Sequence, residues 1–123
     1  MRSILFDELR DSEIEAVTEY LERESRPSGL EGLYWIPIPK ELWNETQHKG
    51  LKEEKLETSG FKLAAEVGPD WIRFELLVRS DSLINTGGGP ADERQVMFIL
   101  NWADKMAREL KLHSCIPPES SAN

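Results

Sequence analysis

The chain has 123 residues, a net charge of −8, and 39% apolar against 31% charged residues, a balance that suits one soluble globular domain and argues against a disordered one. No apolar run approaches the ~20 residues of a membrane span. Ile4-Leu5-Phe6 is too short, and too soon followed by acid, for a signal-peptide core. With a single cysteine and no internal disulfide, a cytoplasmic location is the expectation. Residues 1–31 carry nine Asp/Glu against four Lys/Arg. That end repels DNA and RNA, and no basic stripe compensates elsewhere.

Ser12-Glu13-Ile14-Glu15 has the form of a capping box, with Ser12 at the N-cap. The helix it opens is predicted to run to Arg23–Ser25, because Pro27 and Gly29 suit no helix interior. Ile14, Val17 and Leu21 make its apolar stripe, with Tyr20 on the margin. Glu15, Glu19 and Glu22 make the opposite face, where Glu19–Arg23 and Glu22–Arg26 are spaced to pair.

Gly32–Pro39 reads as a strand, and Pro39 starts a short helical turn to about Glu45. Residues 33–43 hold two of the four tryptophans, Trp35 and Trp43. Pro37 and Pro39 lack N–H groups on one edge, so this is predicted to be an edge strand blocked on that side. Tyr34, Ile36 and Ile38 share one face, and Trp35 shares the other with the prolines. Residues 46–60 are polar and read as a loop, with His48 solvated.

Phe61–Val67 and Trp71–Ser80 flank Gly68-Pro69-Asp70, a turn sequence. The register that pairs Val67 with Ile72, Ala65 with Phe74, Leu63 with Leu76 and Phe61 with Val78 makes every pair on one face apolar. It also sets Glu66 against Arg73 on the other face. A bulge is allowed at the turn. Leu83–Thr86 is a candidate fourth strand. Gly87-Gly88-Gly89-Pro90 then breaks the chain before a long helix, about Ala91–Leu112, whose stripe of Val96, Ile99, Leu100, Ala103, Met106, Ala107 and Leu110 is joined by Trp102. Residues 113–123 are predicted to be a disordered tail after a single domain over 1–112.

No residue set points to catalysis. The Thr86–Pro90 glycines lack the spacing of a P-loop or dinucleotide fingerprint, and Asp92 and Glu93 occupy the place an anion would take. There is no Gly-x-Ser-x-Gly elbow to accompany an oxyanion loop. His113-x-Cys115 lacks further ligands for a metal. Glu66 and Glu75 read as a charge ladder with Arg73 and Arg79.

The fold class expected is α+β: an antiparallel sheet of three to four strands, with an N-terminal helix and a long C-terminal helix packed on one face. Element order, size and acidity are similar to those of type III secretion chaperones and their relatives, an analogy at the level of fold. The function expected is a small acidic protein-binding module, an adaptor or chaperone-like protein, and not an enzyme. It would bind a protein partner or a second copy of itself, with no cofactor, metal, nucleic acid or membrane. Trp35, Trp43, Trp71, Leu77 and Trp102 are the candidate interaction residues. Two alternatives remain: a ligand pocket on the second sheet face beside the 46–60 loop, or an acidic inhibitor or immunity-type protein whose Glu15–Glu19–Glu22 face meets a basic partner.

Overall fold

The computed structural model describes residues 2–48, 60–80 and 88–112. Within them the order is β1 (Ser3–Phe6), α1 (Asp11–Glu24), β2 (Arg26–Pro27), β3 (Leu33–Pro37), β4 (Phe61–Val67), β5 (Ile72–Glu75), β6 (Leu77–Ser80), β7 (Gly89–Pro90) and α2 (Glu93–Leu110). The fold is α+β with an antiparallel sheet and a long C-terminal helix. Seven strands replace the three to four expected. The sheet runs β1-β5-β4-β3-β2, and β6 continues from β5 to pair with β4 and β7. The predicted strand at Leu83–Thr86, the stretch 49–59 of the predicted loop and the tail 113–123 lie outside the described residues. No helix among the described residues is long and apolar enough to cross a membrane.

The missed strands have local reasons. In β1, Ile4 and Phe6 lie opposite Phe74 and Ile72, so a segment too short to read alone is fixed by the apolar pairs it completes. In β2, Arg26 and Pro27 lie opposite Trp35 and Tyr34. Pro27 ends the helix, as expected, but also forms an outer strand. Thus β3 is not the edge over its whole length. Its prolines block only the stretch beyond Trp35, while Ile38 still donates to Phe61 O at 2.8 Å on the β4 side.

The hairpin register holds near the turn, where Val67, Glu66 and Ala65 face Ile72, Arg73 and Phe74. Further on it slips by two residues: Phe61 pairs with Ser80 and Lys62 with Arg79, not Phe61 with Val78. The bulge therefore falls at Leu76 and not at the turn. There the strand exchanges neighbours: Leu76 N–H donates to Arg2 O at 3.0 Å, and Ala91 N–H donates to Leu76 O at 3.0 Å. A slip of two keeps side chains on their own face, so Val78 stays buried.

Both helices contribute to one core with Tyr34, Ile36, Leu63, Ala65, Ile72 and Phe74. In α1, Val17, Tyr20 and Leu21 are buried. The helix starts at Asp11 rather than after Ser12, because the Glu13 carboxylate reaches back to the Arg10 N–H at 2.9 Å. The predicted helix-face pairs are replaced by others: Arg23 bonds Glu24 at 3.1 Å, and Glu22 accepts from the Tyr34 hydroxyl at 3.4 Å. In α2, Ile99, Ala103, Met106 and Ala107 are buried while Leu100 is exposed.

Tyr20 joins the helices to the sheet through the edge of Trp102, at 5.6 Å between ring centroids. Burial first, then the hydrogen bond and charge of Glu109, push the Tyr20 phenol up to about 12. The fold holds the neutral phenol. That contribution is complete below pH 10, the ordinary tyrosine value, and is lost as pH climbs toward 12. Melting temperature is expected to fall over that interval, and Tyr20→Phe should flatten the fall. An identical pH profile for Tyr20→Phe would refute the assignment.

Candidate functional site

Among the described residues, the sheet has a second face opposite the core that α1 and α2 pack into. Alternation and register place Leu5, Leu33, Trp35, Lys62, Ala64, Glu66, Arg73, Glu75, Leu77 and Arg79 on it, with Arg26 opposite Trp35. Ala64 is the cross-strand partner of Trp35, and its small side chain leaves the indole room to lie across the sheet. The Lys62 ammonium sits over that ring, 4.2 Å from its centroid. Trp35, Lys62, Leu77, Arg79 and Gly89 line a hollow of about 380 Å³.

Charge on this face differs from the chain as a whole. Arg26, Lys62, Arg73 and Arg79 outnumber Glu66 and Glu75, although the chain carries −8. Arg73 pairs with Glu66, and Arg79 with Glu75 at 3.1 Å. Lys62 and Arg79 stand directly opposite each other across two strands. The Glu66–Arg73 and Glu75–Arg79 pairs are the expected ladder.

The five candidate residues separate. Trp35 and Leu77 meet in the hollow. Trp71 lies at the hairpin turn, its indole folded onto Gly68, where a Cβ would come within 2.1 Å of the ring. The Arg73 guanidinium lies 5.4 Å from the Trp71 centroid, and Arg73 Nε is buried without a hydrogen bond among the described residues. Trp43 is in the core: its indole N–H donates to Ile38 O at 3.0 Å, and its ring meets Phe61 at 5.0 Å. His48 packs on Trp43 at 5.4 Å, so it is not the freely solvated histidine expected. Trp102 lies on the helix side, 5.9 Å from Phe74.

Lys62 is absent from the candidates the sequence offers, and Arg79 enters there only as a member of the charge ladder. The signal was available, since alternation puts Lys62 on the Trp35 side of β4, but the two-residue slip that brings Arg79 opposite it is invisible without the bulge.

No family model, no curated protein and no solved structure matches the chain. The observed element order opens on a strand rather than on the helix expected.

Proposed function

We propose that the chain is a small protein-binding module that takes its partner on the open sheet face, around Trp35 and Leu77. The observation that carries this reading is the half-buried Trp35 indole beside Leu77, set among four cations in an acidic protein. An aromatic anchor ringed by charge is the composition of a binding hot spot. The fitting partner presents an apolar side chain for the hollow beside Trp35 and Leu77. A nucleic-acid strand fits worse, because its phosphates would also meet Glu66 and Glu75.

Affinity capture from native cytosol, followed by titration of the identified partner, tests the reading. Trp35→Ala and Leu77→Asp are each expected to weaken that partner at least tenfold, about 1.4 kcal/mol, with melting temperature unchanged. Equal binding by both variants would sink it.

A second copy of the chain would use a different surface. Prolines mark the other strand edges at Pro27, Pro37 and Pro90, whereas β1 has none and exposes Leu5. A captured partner that proves to be the chain itself, lost with Leu5→Pro and kept with Trp35→Ala, would move the reading to β1.

A further inference from the structure

A second cavity lies away from the open sheet face. It is a cleft of about 730 Å³ between α1, the Ser28–Gly32 loop and the hairpin turn. Ile14, Thr18 and Glu22 line it at successive four-residue steps of α1, so its helical wall is about 12 Å long. The two ends differ in chemistry. Leu9 N–H donates to Asp70 O at 2.9 Å, which holds the start of α1 against the hairpin turn. Ile14, Val67 and Pro69 accordingly form the end near that turn, and it is apolar. At the other end Glu22 accepts from the Tyr34 hydroxyl, and Glu31 also lines the cleft. Among the described residues, no Lys, Arg or His lines the cleft.

The walls are fixed in place. Gly32 O accepts from Val67 N–H at 2.8 Å. Gly32 itself adopts φ +78°, and a Cβ there would come within 3.0 Å of Val67 O, a position that favours glycine. Ser28 Oγ accepts from Leu30 N–H at 3.0 Å. Burial first, and then the Glu22 and Glu31 charges, hold the Tyr34 phenol above the ordinary tyrosine range.

From the cavity, its apolar end and the Glu22 and Glu31 carboxylates that line it with Tyr34, we infer that this cleft binds an organic cation: an ammonium or guanidinium carried on an apolar body. The charged group sits between Glu22 and Glu31, within reach of the Tyr34 hydroxyl oxygen. The body lies along α1 toward Ile14 and Val67. Both glutamates are exposed. The apolar end adds what simple charge attraction lacks, a preference for cations that carry hydrocarbon. The same chemistry can arrive as a free amine or as an arginine or lysine on a protein. The site is independent of the partner face proposed above.

Titration of the full chain followed by amide NMR tests this, with n-hexylammonium, n-hexanol and hexanoate as probes and acetyl-Leu-Ala-Arg-amide as the protein-borne form. Hexylammonium is expected to bind at least tenfold more tightly than hexanol, and hexanoate not at all. Shifts should centre on Thr18, Gly29 and Gly32, and the Tyr34 ionisation should move to lower pH as the cation loads. Glu22→Gln with Glu31→Gln should bring hexylammonium down to the level of hexanol without changing the melting temperature, and Trp35→Ala should leave it unchanged. Whichever of hexylammonium and the arginine peptide binds more tightly identifies the source. Equal binding of hexanol and hexylammonium, an unaffected double variant, or shifts centred elsewhere would overturn the inference.

Discussion

Gln95→Leu is expected to lower the unfolding free energy by about 3–4 kcal/mol, through loss of polar partners rather than loss of volume. Gln95 is fully buried. Its Oε1 accepts from Asp92 N–H at 3.0 Å. Its Nε2 donates to Leu42 O at 3.1 Å and to Gln47 Oε1 at 2.8 Å. Gln47 is itself the third residue of a helical turn whose start is Asn44: Gln47 Oε1 accepts from Asn44 N–H at 3.0 Å, and Asn44 Oδ1 accepts from Gln47 N–H at 2.9 Å. Two capping boxes are thus joined side chain to side chain in the interior. Leucine fills nearly the same space but orphans Asp92 N–H and Leu42 O, and each orphan costs about 1–3 kcal/mol. Gln95→Glu gives the sharper test. A buried carboxylate would face Leu42 O and Gln47 Oε1, both acceptors, so its folded pKa rises above the unfolded value of about 4.3. Stability of this variant should be greatest below that value and should fall as pH rises through the folded pKa. Urea unfolding at pH 4 and pH 7 checks both variants. A loss under about 1 kcal/mol for Gln95→Leu would show that the network is dispensable.

The same two boxes show what sequence reading reached and what it missed. Asp92-x-x-Gln95 and Asn44-x-x-Gln47 both carry the capping pattern, yet neither was read as one. The first was passed over in favour of an earlier start at Ala91, and the second because the polar run after Trp43 resembled a loop. Side-chain alternation placed Tyr34, Ile36 and Ile38 on the core face and Trp35 on the other, because a period of two needs no tertiary information. Register was legible only next to the turn. Beyond Leu76 it depends on backbone bonds to Arg2 and Ala91, residues roughly 75 and 15 positions away along the chain, and a local pattern holds no trace of them. Trp43 and Trp102 were grouped with Trp35 and Trp71 on composition alone. Their separation follows from which face each backbone segment turns inward, and that is decided by packing.

Charge placement followed the same division. Acid in residues 1–31 was plain from counting, but its split into an exposed helix surface and an acidic cleft end was not, because Glu22 and Glu31 converge only when the Ser28–Gly32 loop folds back toward α1. The open sheet face is the converse case. Its cations come from β2, β4, β5 and β6 and are dispersed in sequence, so the local excess appears only after the strands pair. An acidic chain can therefore offer a basic face on one side and an anionic cleft on another, and whole-chain charge predicts neither.

Phe74→Ala should be the most damaging single truncation, at about 3–5 kcal/mol, a large part of the 5–15 kcal/mol typical of a whole domain. Phe74 is fully buried on the helix-facing side of β5. Its ring meets Phe6 at 6.1 Å and Trp102 at 5.9 Å, both edge-on, and in register it lies opposite Ile4 on one side and Ala65 on the other. The residue therefore joins three elements: β1, the centre of the sheet and α2. Ala65, its small neighbour on β4, cannot expand to fill the space, so a cavity remains and adds to the lost transfer energy. Because β1 is a four-residue edge strand fastened mainly through Ile4 and Phe6, its amides should lose hydrogen-exchange protection before those of β3 and β4 do. Trp102 should report the loss of its aromatic neighbour as a red-shifted emission in the still-folded variant. Phe74→Leu restores most of the volume without the edge-on contacts and should cost about 1–2 kcal/mol. Uniform loss of protection across the sheet, with β1 no more affected than β4, would mean that Phe74 stabilises the core as a whole and does not hold β1 to it.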